Sequence, residues 1–153
     1  MTTTNIHDVA ARVTEHFDSS ISTMKLQKLC FFAQGWSLAL LKSPLFDSQF
    51  QAWKNGPVSY DLFDHHRGQY QVSRWTPGDS SRLSAKQGIV VEAVLKNYGA
   101  LSGLQLSDLT HKPGSPWSVT RARAGVAEGA SSHVVIPVDT MAAFFKKSLL
   151  ESR

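Results

Sequence analysis

The sequence has few of the features that mark secreted proteins, membrane proteins and common enzyme families. A single cysteine in 153 residues, Cys30, excludes an intrachain disulfide and any cysteine-based zinc cluster. No run of residues approaches the roughly 18 consecutive apolar side chains that a membrane span requires. Glycine-rich phosphate loops, nucleophile-elbow patterns and HExxH metal motifs are also missing. Cys30 itself lies between Leu29 and Phe31, an apolar setting that favours a packed, inert thiol.

Charge is scarce and evenly spread. Charged residues make up 18% of the chain, below the roughly 25% of an average soluble domain, whereas aromatic residues reach 10%. This balance favours a folded protein over a disordered one. The net charge of +4 comes from scattered lysines and arginines, so the composition does not favour a nucleic-acid partner. The N-terminal stretch is amphipathic and carries Asp8 and Glu15, unlike a secretory signal. We therefore expect a cytoplasmic protein with no membrane partner.

Hydrophobic periodicity predicts a mainly α, compact single-domain fold over residues 1–153, with six or seven helices and a small extended or β element. The segment after Ser22 is apolar on almost every face, which is typical of a central helix surrounded by protein. In the later helix that Ser84 caps, Ile89 and Tyr98 are expected to face inward. Residues 69–83 are expected to form a mobile connection. The predicted helices are 6–17, 23–42, 58–68, 84–99, 102–111, 115–124 and 137–152, and the predicted extended segments are 45–53, 70–75 and 134–136.

One cluster of polar residues has the spacing of metal ligands. Asp61 and His65 lie four residues apart on one helical face, and His66 is next to them. Asp61 and His65 alone do not complete a metal site, so a third ligand would have to come from His111 or His133 through tertiary folding. Polar residues on the exposed side of a helix explain the same run, so a metal-dependent enzyme remains an alternative, and the sequence implies no cofactor.

Two corners of the predicted fold carry aromatic residues beside rigid turns. The first joins Trp53 to Tyr60 through the Gly56-Pro57 turn, and the second contains His111 and Trp117 around another helix start. Exposed tryptophan and tyrosine at such places are typical of protein–protein hot spots, because they add contact area at low entropic cost. The other interpretation is that Trp53 and Trp117 fill gaps in the core.

Three ordered motifs resemble those of the Panacea domain family. The run MKLQKLCFFAQGW, residues 24–36, is similar to the family's KLQKLLYYAQ opening, with Cys30-Phe31-Phe32 where the family tends to have an aliphatic residue and tyrosines. FQAWKNGPV, residues 50–58, matches its AW..GPV motif. Thr110, followed by Pro116-Trp117, resembles its T…PW element.

The resemblance implies an antitoxin, a non-enzymatic protein that binds and neutralises a cognate toxin encoded beside it. It also implies a compact helical fold and, by analogy with a proteolytic adaptor of the family, delivery of the toxin to a ClpXP-type protease. A DNA-binding autoregulator is a further alternative. On this hypothesis the partner-binding residues are those of the two corners, with two lysines of the central helix as charged orienters: Lys25, Lys28, Trp53, Gly56, Pro57, Tyr60, His111 and Trp117.

Overall fold

The computed structural model describes residues 3–151 and confirms a mainly α fold. Seven α-helices and two small two-stranded antiparallel sheets lie within this range. In chain order the elements are α1 (Ile6–His16), β1 (Ile21–Ser22), α2 (Thr23–Leu40), β2 (Gln51–Trp53), β3 (Gly56–Val58), α3 (Tyr60–His66), β4 (Gln71–Val72), a 3₁₀ turn (Ser80–Arg82), α4 (Ala85–Tyr98), α5 (Gly103–Thr110), α6 (Pro116–Arg123) and α7 (Val138–Glu151).

Most of the helices begin at a side chain that caps them. Asn5, Ser84 and Ser102 each form a capping box, in which the cap accepts from the third helical N–H and the third side chain accepts from the cap N–H. Ser22 and Ser115 cap α2 and α6 by accepting a single backbone hydrogen bond. These local bonds satisfy helix N–H groups that would otherwise lack partners, which is why the helices start where they do.

Helix α2 is the centre of the fold, as its apolar pattern predicts. Leu26, Leu29, Cys30 and Ala33 are fully buried, and α1, α4, α5 and α7 pack around them. Burial raises the pKa of the Cys30 thiol, which keeps it protonated. The cluster of buried apolar side chains extends from α2 to the helices on each side of it, and that burial is the main stabilising term for the fold.

Several predictions about individual segments are wrong, each for a local reason. Helix α3 starts at Tyr60 rather than at residue 58, because residues 56–58 pair with residues 51–53 in a hairpin. Ile89 is 69% exposed, since Val90, Val91 and Val94 form the buried face of α4. Tyr98 does pack inward, stacking on Phe32 with ring centroids 4.5 Å apart.

The predicted mobile connection at residues 69–83 packs against the helical core. Trp75 is buried, its backbone N–H donates to Thr14 Oγ1 at 3.1 Å, and its indole N–H donates to His7 Nδ1 at 3.1 Å. Gln71 and Val72 pair with Ser22 and Ile21, which ties the same connection to the start of α2. Within residues 3–151, no helix combines the length and the apolar character needed to cross a membrane.

Candidate protein-binding site

The hairpin of β2 and β3 lies at the first of the two predicted corners. Its register pairs Gln51 with Val58, Ala52 with Pro57 and Trp53 with Gly56, which leaves Lys54 and Asn55 as the two-residue turn. Gly56 has a φ of 123°, a backbone conformation that side-chain-bearing residues rarely adopt. The turn residues Lys54 and Asn55 are exposed, Trp53 is half-buried, and Gly56 and Pro57 are buried.

Side chains of three different helices hold the hairpin through its carbonyl oxygens. These donors come from α2, α5 and α6, so the hairpin backbone is tied to three separate helices. The bonds are Lys28 Nζ to Pro57 O at 3.0 Å, Ser107 Oγ to Asn55 O at 2.8 Å, Trp117 Nε1 to Trp53 O at 2.6 Å and Arg121 Nη1 to Ala52 O at 2.9 Å.

Gln27 fixes the junction between the hairpin and α3. Its Oε1 accepts from the Ser59 backbone N–H at 2.8 Å, and its Nε2 donates to the Ser59 carbonyl at 3.1 Å. The same Nε2 lies 3.0 Å from His66 Nε2. Burial, and secondly the charge of Lys28, lower the pKa of His66, so a neutral ring accepts this hydrogen bond. A single amide therefore sets where β3 ends and how α3 leaves it.

The two lysines expected to act as charged orienters are directed inward. Lys28 is 2% exposed, and burial lowers the pKa of its ammonium to about 7. Lys25 is half-buried, donates to the Gly99 carbonyl at 2.6 Å and lies 4.5 Å from the centre of the Phe17 ring. The structure thus places Lys28 under the hairpin and Lys25 at the end of α4, rather than both on one outer surface.

The two predicted corners form one continuous site. Trp117 donates its indole N–H to the backbone of Trp53, and the His111 ring lies 3.9 Å from the Trp117 ring. Trp53 packs edge-on against Phe63 at 4.9 Å and is half-buried, as is Trp117. Tyr60, 46% exposed, continues the surface at the first residue of α3. Both tryptophans therefore combine a structural contact with partial exposure.

A pocket of about 220 Å³ opens where the hairpin meets α2 and α3. We call it the hairpin pocket. Trp53, Val58 and Phe63 supply much of its apolar wall, and Lys28 and His66 line it as well. An apolar wall with a few polar groups is the usual make-up of a binding pocket.

The sequence-based site omits three residues that hold it together, which are Gln27, Ser107 and Arg121. Gln27 carried a usable signal, because an amide inside a helix that is apolar on almost every face requires a buried partner. Arg121 is 4% exposed and also donates to the carbonyls of Ala127 and Ala130, so it ties the hairpin to the loop after α6. No local pattern around Ser107 or Arg121 indicates these bonds, which depend on tertiary folding.

The proposed metal-ligand cluster does not converge. Asp61 accepts from Ser48 Oγ at 2.5 Å, His66 turns toward Gln27, and the His65 ring lies 4.7 Å from the His7 ring. Among residues 3–151, no group of three or more His, Cys, Asp or Glu side chains is arranged to hold a metal ion. The spacing of this run therefore reflects three separate structural contacts.

The hairpin and most of the side chains that hold it lie in a segment that matches a known protein family. The model of the SocA-like antitoxin family, Panacea domain, matches residues 26–118, from the first turn of α2 to the first turn of α6. The match includes the hairpin and three of the four side chains that clamp its carbonyls. Since it covers more than half of the chain, the protein belongs to this SocA-like, Panacea-domain family.

Among curated proteins, Antitoxin SocA of Caulobacter vibrioides (strain NA1000 / CB15N) is similar to this chain. The two are 35% identical over 116 residues, which covers 67% of this chain and 61% of the relative. The chain thus spans about three-fifths of the length of that relative. No solved structure matches this chain.

Replacing Gly56 by alanine tests how tightly the hairpin is held. A Cβ there would lie 2.8 Å from Lys28 Cε and 3.1 Å from Thr110 Oγ1, in a backbone conformation that disfavours alanine. We expect Gly56→Ala to lower the free energy of unfolding by about 2–4 kcal/mol, measured in urea, with faster amide exchange in residues 51–58.

Gly129→Ala is the matched control, because Gly129 also has a positive φ, 78°, but a Cβ there meets nothing within 4 Å. Backbone strain alone predicts a loss of about 1 kcal/mol for this variant. Equal losses for the two substitutions would show that the contacts beneath Gly56 contribute little.

Proposed function

We propose that this protein is an antitoxin that neutralises a cognate toxin by direct protein–protein binding, without catalysis, in the cytoplasm. Family membership and the similarity to Antitoxin SocA support the antitoxin role. The observation that carries the binding role is the hairpin, whose backbone is clamped by three helices while its turn and the adjoining aromatic residues stay accessible.

The binding surface that we propose consists of the hairpin turn, Tyr60 and the half-buried faces of Trp53 and Trp117. A surface that is already rigid loses little conformational entropy on binding, so more of its contact energy appears as affinity. Aromatic side chains next to buried polar contacts are the usual anchors of such interfaces. On the proposed surface the aromatic side chains would form the apolar centre of the interface, and the exposed turn residues Lys54 and Asn55 would form part of its polar rim.

A finer form of the proposal is that the protein is an adaptor that delivers its toxin to a ClpXP-type protease. An adaptor needs a second surface that stays free while the toxin is bound. A groove of about 700 Å³ between α6 and α7, lined in part by Arg123, Phe144 and Lys147, shares no residue with the hairpin pocket. This separation supports simultaneous contact with two partners.

Substitution at the exposed end of the site tests the binding role. Tyr60→Ala is expected to weaken binding of the toxin encoded in the adjacent reading frame at least about tenfold, because an aromatic anchor is lost. Its stability should change by no more than about 0.5 kcal/mol, since the side chain is exposed. The measurements are calorimetric titration of the toxin and growth of cells that express both proteins.

Tyr70→Ala serves as the control, because Tyr70 is 89% exposed and lies in the connection before β4 rather than beside the hairpin. It should bind the toxin and rescue growth like the wild type. If Tyr60→Ala also did both, the toxin would bind elsewhere and the proposed surface would be incorrect.

The adaptor form makes a separate prediction about toxin lifetime. With ClpXP and ATP present, the purified protein should shorten the half-life of the toxin several-fold, whereas inhibition by binding alone leaves that half-life unchanged or lengthens it. Immunoblotting of the toxin over time measures the difference. An unchanged half-life would exclude the adaptor role and would leave direct neutralisation intact.

A further inference from the structure

A buried lysine, Lys28, lines the hairpin pocket, and no acidic residue neutralises its protonated form. Lys28 is 2% exposed, and it forms no ion pair within residues 3–151. A protonated lysine side chain has three N–H donors, of which one is used, by the Pro57 carbonyl at 3.0 Å. Two donors are therefore left without a partner in the described part of the chain.

The groups around Lys28 do not offer a counter-charge. His66 of α3 and Lys54 of the hairpin line the same pocket, and Thr110 of α5 lies next to Gly56 beside the lysine. The carboxylates on α3, Asp61 and Asp64, are exposed and do not line the pocket. Within α2 the neighbouring lining residues, Met24 and Gln27, are uncharged. An anionic group is what this pocket lacks.

An isolated charge inside a protein is costly, because little water remains to solvate it. Two arrangements relieve this cost, which are loss of the proton or pairing with an anion. Burial lowers the pKa of Lys28 in the free protein and so favours loss of the proton, whereas a bound anion would raise that pKa again. The apolar walls formed by Trp53 and Phe63 would shield such a pair from solvent and so strengthen it.

The size of the hairpin pocket fits a side chain. Its volume of about 220 Å³ is several times the roughly 30 Å³ that one water molecule occupies in the liquid. The pocket adjoins the hairpin turn, so a protein bound to the proposed surface can place one side chain in it. Charge complementarity selects an acidic residue for this position, because the available donors belong to an ammonium group.

We propose that an aspartate or glutamate side chain of the bound toxin enters the hairpin pocket and forms an ion pair with Lys28. The proposal rests on the toxin-binding role for the identity of its occupant. It assigns Lys28 two tasks, which are to hold the hairpin through Pro57 and to recognise an acidic anchor on the partner.

The test compares the wild type with Lys28→Met, which keeps an unbranched apolar stem and removes the charge. Lys25→Met is the matched control, because Lys25 lies one turn earlier on the same helix. The sequence predicted it to be a partner-binding residue, but it bonds to Gly99 at the end of α4 and does not line the hairpin pocket. The toxin from the adjacent reading frame is titrated into each protein by calorimetry at pH 6.5, 7.5 and 9. Lys28→Met should bind at least about tenfold more weakly at pH 6.5, and Lys25→Met within about twofold of the wild type.

The pH profile gives a second readout that a purely structural role for Lys28 would not produce. Because the free lysine has a pKa of about 7 and pairing raises it, the wild type takes up a proton on binding. Affinity should therefore be greatest below pH 7 and should fall as the pH rises toward 9. Lys28→Met should lack this slope, whereas a slope due to His66 would persist in it.

The outcomes separate the two proposals. If the wild type binds the toxin and Lys28→Met binds as tightly with the same pH profile, the acidic anchor is excluded and toxin binding stands. If Lys28→Met does not fold, the wild type decides between the outcomes. A wild-type affinity that stays constant between pH 6.5 and 9 excludes the anchor. A wild-type affinity that falls with rising pH supports the anchor if this pH dependence is lost when one toxin carboxylate is changed to its amide. If the wild type does not bind the toxin, both proposals are overturned.

Discussion

The position of the β2–β3 hairpin depends on the hydrogen bonds that side chains of α2, α5 and α6 donate to its backbone carbonyls. A two-stranded hairpin of three residues per strand is marginal by itself in water. Here Lys28, Ser107, Trp117 and Arg121 satisfy four of its carbonyls from helices that are anchored in the core. These bonds tie the hairpin to the helices and hold its exposed turn at a defined place on the surface.

This requirement explains why the central helix carries polar residues inside an apolar environment. Gln27 and Lys28 face the hairpin, and Gln34 satisfies the Leu45 N–H and the Phe46 carbonyl at 2.8 Å each. All three are buried, and each makes a hydrogen bond to backbone outside α2. The helix thus holds both ends of this stretch of chain, at Leu45 and Phe46 and again at Pro57 and Ser59. It is both the core of the fold and the support of the candidate site.

The helices and the two aromatic corners could be predicted from the sequence because the patterns that indicate them are local. Serine caps, the glycine–proline turn and the apolar face of α2 all lie within short windows, and the motifs that resemble the Panacea family fall on these elements. The direction of Lys28 was not predictable in the same way, because an inward lysine needs the Pro57 carbonyl of a distant segment. The run Asp61, His65 and His66 left a metal site open as an alternative for a related reason, since helical spacing does not reveal that each side chain turns to a different partner.

The central proposal is that the clamped hairpin is the element that contacts a cognate toxin. Hydrogen–deuterium exchange of this protein, free and in complex with the toxin from the adjacent reading frame, tests it most directly. Added protection is expected to be concentrated in residues 51–66, including the exposed turn at Lys54 and Asn55. Protection confined to the α6–α7 groove, with exchange of the hairpin turn unchanged, would contradict it.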